Sequence, residues 1–369
     1  MDDFFMHLDL SDFPEVDVET RKDDIIKASK AINNLIKESR AMSKLSNCYY
    51  CGEPCDGFCN SHTLPAFCLR NIAQKGKVFY SNSILDLPSL KDDKGVNESG
   101  TFHLICRDCD SKIFQEYENP DNYENIPTVK MLAQIDMKNN LKNISKRLME
   151  IEMYSLMGKQ IGMSEQWVDA KNSVSKLDLE EYKDSFSRAK KRDVKPFSGD
   201  YYVGFYEKLP YVVPVAFQGT VALIFDLEGN VINNIYNPDP KYKIKNVSIC
   251  IFPLKESSIV MLFVDKENTR YSKFFRQLKK LDLENQLSVI NYILFSYSED
   301  YFLSPILDKK VLDKLTLLSG KTPEMTGFYP TTTSQQIEGV RKIFDYSERF
   351  STPTLLSHAF GLSEENRSE

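Results

Sequence analysis

Two cysteine pairs constrain this chain more than any other feature. Cys48-Tyr49-Tyr50-Cys51 lies early, and Cys106-Arg107-Asp108-Cys109 lies well downstream. A C-x2-C sets two thiolates on one tight turn, at a separation that suits two corners of a metal tetrahedron. A second such turn completes a closed, four-cysteine zinc site. The metal would close a long loop, so folding of the intervening chain depends on it. The run C-x2-C-x3-C-x3-C-x2-H leaves the ligand set open: Cys55 or Cys59 could replace Cys51, and His62 could replace a cysteine. Cys68 and Cys250 read as core.

The thiol reading depends on compartment. The chain opens on Met1-Asp2-Asp3, with acid where a signal peptide needs Lys or Arg, and no apolar run is long enough to span a bilayer. We therefore expect a cytoplasmic protein without a membrane partner, where reduced thiols favour metal over disulfide. Of the 369 residues, 41% are apolar and 27% charged, enough to bury a sizeable core. The formal net charge of −6 argues against a protein that coats nucleic acid, though not against a local basic face.

Periodicity divides the chain. Residues 1–19 carry seven carboxylates and no Lys or Arg, with Phe4, Phe5 and Phe13 interleaved. This reads as a solvated tail, as an acidic plug for a basic face, or as a segment that packs on a partner subunit in a homo-oligomer. Residues 20–45 read as an amphipathic helix with Ile25, Ile32, Leu35 and Ile36 on one face. The cysteine module spans 46–126, and its interior, 74–100, is polar and turn-like. A helical segment occupies 127–196, with Thr128 as N-cap and Met137, Leu141, Ile144, Leu148 and Ile151 on one face. Lys138, Lys142, Lys146 and Arg147 read as the opposite, solvated side. Arg188, Lys190, Lys191, Arg192 and Lys195 form the densest basic cluster.

From 197 to 369 the pattern changes to short aromatic and β-branched runs at 201–206, 211–217, 221–225, 247–252 and 258–264. Helical patterns follow at 274–281, 283–295, 311–318 and 335–344. The expected class is α+β: an N-terminal zinc-stapled module with flanking helices, then an antiparallel sheet with helices.

Within the module, His62-Thr63-Leu64-Pro65 lies between the cysteine pairs. A strand pattern leads into the second pair, and a helix follows it. This order resembles the HNH endonuclease group. More narrowly, three sets of segments resemble an uncharacterised bacterial family with an HNH-like N-terminal module. They are Asn60-Ser61-His62 with Asn71-Ile72-Ala73, Gly100-Thr101-Phe102-His103 with residues 106–110, and Phe114-Gln115-Glu116-Tyr117-Glu118-Asn119-Pro120. The resemblance covers roughly residues 48–157.

It implies a ββα-metal core, a treble-clef zinc staple and metal-dependent phosphodiester hydrolysis. On that reading His62 is the general base and Asp110 holds a catalytic Mg or Mn, with Glu116 or Glu118 as a second carboxylate. Ser61 departs from the pattern, standing where an acidic residue or His normally helps hold the metal, and it is a poor ligand for a hard cation. Asp110 could equally cap the following helix, and His62 could pack beside the zinc. His103 could line the cleft or the opposite surface. The resemblance also implies a nucleic-acid partner, with Lys142, Lys146, Arg147, Arg188, Lys190, Lys191 and Arg192 as candidate phosphate contacts. A bacterial toxin or antiphage effector is a fitting setting. The rival expectation is a non-catalytic binding or scaffold protein that keeps the staple for stability alone.

Overall fold

The structure is a computed structural model that describes residues 30–363, apart from 32, 81–93, 97–99, 161, 238, 240, 299, 317 and 319–332. The acidic tail and the first part of the helix expected at 20–45 lie outside the described residues. Helix α1 (33–42) buries Leu35 against Met153, Tyr154 and Leu156.

In the cysteine module, β1 (Ser61–His62) is followed by α2 (Ala66–Ile72) and by the short strands β2 (Lys77–Tyr80) and β3 (Lys94–Gly95). Next come β4 (Thr101–Phe102), α3 (Arg107–Ile113) and α4 (Gln115–Glu118). Strands β1 and β4 pair antiparallel with Ser61 opposite Phe102.

Two long helices follow, α5 (Val129–Gln160) and α6 (Glu165–Val194), packed against each other as a hairpin. Thr128 caps α5 as expected, its Oγ1 accepting from the Met131 amide at 3.2 Å. Helix α5 carries no simple polar face. Lys138 and Arg147, expected to be solvated, are buried, together with Gln134, Asn139 and Glu150. The helix is enclosed on several sides, so its polar groups must find partners inside the protein.

The remaining strands are β5 (Tyr201–Leu209), β6 (Val215–Val221), β7 (Val247–Pro253) and β8 (Ser258–Asp265). Helices α7 (Ser272–Leu278) and α8 (Leu283–Tyr297) follow, then β9 (Phe302–Leu303), α9 (Lys309–Thr316) and α10 (Thr333–Ile343). Of residues 221–225, expected as a strand, Val221 ends β6, and the rest make only an isolated bridge from Phe225 to Val231. The sheet is antiparallel, in the order β3-β2-β9-β6-β7-β8-β5.

Both faces of this sheet are covered. On β7 and β8, Cys250, Phe252, Met261 and Phe263 face a core shared with the module and the helical hairpin. Ile249, Ile251, Val260 and Leu262 face a second core with α7 and α8. The strands therefore read as continuous apolar runs and not as alternating ones. Gly204 is required where β5 bulges, because a Cβ there would lie 2.1 Å from Cε1 of Phe275.

The sheet crosses the boundary expected near 196. Strand β9 pairs with β2 of the cysteine module on one side and with β6 on the other. Phe302, 1% exposed, stacks on Tyr80 with ring centroids 4.5 Å apart. Its ring also lies over Gly100, where a Cβ would come within 2.2 Å of it. Nearby, Lys142 pairs with Asp300 at 2.7 Å. Asn71 donates to the Pro253 carbonyl at 2.9 Å, tying α2 to β7. No helix among the described residues is long and apolar enough to cross a membrane.

Phe302 joins module and sheet, so Phe302→Ala should cost about 3–5 kcal/mol. Calorimetry of both proteins should show one cooperative transition, shifted down in the variant. Two separate transitions in the wild type would show that the halves melt independently.

Candidate metal centre and the buried lysine site

The two C-x2-C turns converge. The ligand atoms of Cys48, Cys51, Cys106 and Cys109 all lie within 4.8 Å of one another. Bonds of about 2.3 Å to zinc imply sulfur–sulfur edges of about 3.8 Å, so a small closure of the turns completes a tetrahedron. This donor set could hold a metal ion such as zinc, which would cross-link the two turns and supply no chemistry of its own.

The first turn is built for this. The Gly52 amide donates to the Cys48 carbonyl at 2.8 Å, and Gly52 adopts a left-handed φ of 80°. The second turn begins α3, and its Cys106 amide donates to Sγ of Cys48 at 3.3 Å. Burial pushes the Cys48 thiol up, but the amides of Cys51, Cys106 and Tyr50 outweigh it and bring the pKa down to about 7. Stabilised thiolate is the form that binds metal.

Cys55 and Cys59 stand outside the four. Sγ of Cys55 donates to the Gly57 carbonyl at 3.1 Å, and Sγ of Cys59 donates to Oδ2 of Asp110 at 3.3 Å. Burial and the Asp110 charge push the Cys59 thiol up to about 11, so it stays protonated. Cys68 and Cys250 are fully buried core residues, as expected.

The first turn also docks on α6. Tyr49 and Tyr50 meet the Phe186 ring edge-on, with centroids 5.2 and 6.4 Å away. Lys190 donates to the Tyr50 carbonyl at 2.6 Å and lies 3.9 Å from the centre of its ring.

A second cluster lies where the sequence predicts a catalytic cation. Strand β1 turns Ser61 inward, helix α3 presents Asp110 directly after the last cysteine, and α4 presents Glu118. Between them lies the ammonium of Lys138 from α5, 1% exposed. Lys138 Nζ donates to Ser61 Oγ at 2.8 Å and to Asp110 Oδ1 at 2.9 Å, and it pairs with Glu118 Oε1 at 3.2 Å. The Ser61 hydroxyl donates to Asp110 Oδ1 at 2.5 Å. The Phe114 ring lies under the ammonium, its centre 3.9 Å away.

Asp110 and Glu118 do come together, then, but around a lysine. Burial raises the Asp110 carboxyl, and the Lys138 charge with the Ser61, Lys138 and Cys59 hydrogen bonds more than offsets it, so its pKa lies below the usual value. These residues do not fit a catalytic Mg or Mn. A divalent cation would have to displace a buried ammonium, and Ser61 is spent as a donor. Glu116, the other candidate carboxylate, pairs with Lys130.

His62 lies on the other side of β1, since successive side chains alternate. Its Nε2 hydrogen-bonds the Val96 carbonyl at 3.1 Å, and burial lowers its pKa. The bond assigns the proton to Nε2 in the neutral ring. His62 and Asp110 thus contribute to different faces of the strand pair. His103 is exposed, near Arg40 and Lys44.

Most candidate phosphate contacts are used internally. Arg147 pairs with buried Glu150 and, at 3.1 Å, with Asp178. Arg192 pairs with Asp265 at 2.8 Å, and Lys142 and Lys190 are held as described above. Lys146 lies within electrostatic reach of Asp300. Arg188 and Lys191 remain exposed on α6. Lys138, the residue sequence reasoning missed, left one signal: position 138 sits beside Met137 and Leu141, on the flank of the apolar stripe.

Comparison with protein-family models, curated proteins and solved structures returns no match to this chain.

Metal analysis should find one zinc per chain, and Cys109→Ala should lose it with a cost of several kcal/mol. Cys55→Ala should keep it. Unchanged metal content in Cys109→Ala would break the assignment.

Lys138→Met leaves two carboxylates facing each other in a buried site and should cost about 3–5 kcal/mol at pH 7. The wild-type Asp110 pKa is depressed, so its contribution is present above about pH 4 and is lost as pH falls further. In the variant, burial without the ammonium raises the carboxyl pKa, so the deficit should shrink between pH 7 and pH 5. Urea titrations at the two pH values measure this, and a deficit that grows on acidification contradicts it.

Proposed function

We propose that this chain is a binding or scaffold protein built on a zinc-stapled, HNH-like module that has exchanged its catalytic cation for a lysine. The observation that carries this reading is the Lys138 ammonium between Asp110, Glu118 and Ser61. A buried ammonium supplies the positive charge needed to hold two carboxylates together. It offers no open coordination position for a phosphate oxygen or a water. The staple supports the same reading, because four cysteines leave no ligand position free.

The order of elements favours the HNH-like ancestry. Strands β1 and β4 pair and lead through the second cysteine turn into α3, as the ββα arrangement requires. In this reading Asn71 serves the fold through Pro253, and the inward basic residues serve the helical hairpin.

The second reading is a nuclease acting on nucleic-acid phosphodiesters in a toxin or antiphage setting. One observation favours it: the His62 ring is half-buried, and burial favours its neutral form, which suits a base.

The test is an assay on single- and double-stranded DNA and RNA with Mg, with Mn and without metal, using wild type and His62→Ala. The expected result is no cleavage under any condition. Cleavage by the wild type that His62→Ala abolishes, with zinc content intact, would overturn the scaffold reading.

A further inference from the structure

The last turns of α6 carry an exposed face of mixed character. Arg188, Lys191 and Lys195 step by three and four, so they share one side of the helix, and all three are exposed. Their neighbours Lys190 and Arg192 are spent inside the protein, on the Tyr50 carbonyl and on Asp265. Arg188 donates to Ser185 Oγ at 2.9 Å, and none of the three exposed cations forms an ion pair among the described residues. Val194 and Phe197 stand beside them, 66% and 68% exposed. Asp184 is an exposed carboxylate one turn before Arg188, and Asp193 is bonded to Gln134.

Cations at a helix C-terminus suit the dipole by themselves. A valine and a phenylalanine in water beside them do not follow from that. Together the five side chains make a surface that suits a partner carrying both carboxylates and aromatic rings.

We propose that this face is the docking site for residues 1–19 of the same chain. That segment has the matching chemistry: seven carboxylates, no Lys or Arg, and Phe4, Phe5 and Phe13 interleaved with Leu8 and Leu10. Its carboxylates pair with Arg188, Lys191 and Lys195, and its phenylalanines cover Val194 and Phe197. Reach allows this. Leu35 is anchored on Met153, Tyr154 and Leu156, while Gln134 of α5 meets Asp193 near the end of α6. Those two levels of α5 lie about twenty residues apart, or about 30 Å along the helix. A chain spans up to about 3.3 Å per residue, so residues 13–30 cover that distance even with half of them in a helix. A tether that spans the gap gives the segment a higher effective concentration at this face than a second copy has. Docked there, it covers the exposed cations against any other acidic partner. The proposal is independent of the module and holds whether or not the chain cleaves nucleic acid.

Carbodiimide coupling of the full chain, followed by peptide mass spectrometry, tests it, because the reagent joins a carboxylate to a lysine amine only where the two lie in contact. The acids of residues 1–19 should couple to Lys191 or Lys195, in preference to the exposed Lys75 and Lys280. Raising salt from about 20 mM to about 1 M should lower the yield severalfold, since screening then acts within a few ångströms. Val194→Ser combined with Phe197→Ser, both surface changes, should lower it severalfold as well, with zinc content unchanged. In a mixture of isotopically light and heavy chains, the links should lie within one chain. Coupling spread evenly over exposed lysines, or none at all, would overturn the proposal. So would a yield that the double variant leaves unchanged, or links mainly between light and heavy chains, which would make the occupant a second copy.

Discussion

The contact on which the module depends is the Lys138 ammonium. Taking an ammonium out of water is expensive, and the cost is offset only where carboxylates and dipoles are already in place. Here they come from three elements, with Ser61 on β1, Asp110 on α3 and Glu118 on α4. The ion cluster therefore fixes β1, α3 and α4 against α5. The four cysteines fix the other end of the same unit, since Asp110 follows Cys109 directly. A hydrophobic contact could supply comparable stability without fixing the geometry of so many elements.

The same rule governs the rest of the helical hairpin. Arg147, Lys142, Lys190 and Arg192 each face a carboxylate, a carbonyl or a ring inside the protein. Hairpin, module and sheet thus meet through paired charges embedded in apolar packing. Because each pair needs both members placed, the arrangement favours one docking of the helices over sliding alternatives.

How much of this was legible in the sequence follows from range. The clustering of four cysteines that could hold a metal ion was legible because C-x2-C is a local geometry repeated once. The Thr128 cap and the strands at 201–209, 247–253 and 258–265 were legible from local chemistry and β-branched content. Strands β2 and β9 were not, since two to four residues carry no periodicity, and their role comes from pairing across more than two hundred residues. Lys138 was hidden for a different reason. A basic residue on a helix reads as solvated unless its partners are known, and Ser61, Asp110 and Glu118 lie 20 to 77 residues away in the chain. The resemblance pointed to Asp110 as a holder of a divalent cation, whereas the group the structure sets against it is Lys138, a residue outside the motif.

The link between the metal centre and the sheet runs through α6. Tyr49 and Tyr50 of the first cysteine turn pack on Phe186, and Lys190 clamps the Tyr50 carbonyl. Two residues further along the same helix Arg192 reaches Asp265 on β8, and about one turn before Phe186 Glu181 and Tyr182 line a cleft beside the sheet. A helix is stiff over this distance, so the position of the cysteine turn and the width of the cleft are not independent. Metal bound at the four cysteines would hold the turn that holds α6, and its loss would release one wall of the cleft. The four-cysteine site is in this sense placed to support a surface it does not touch.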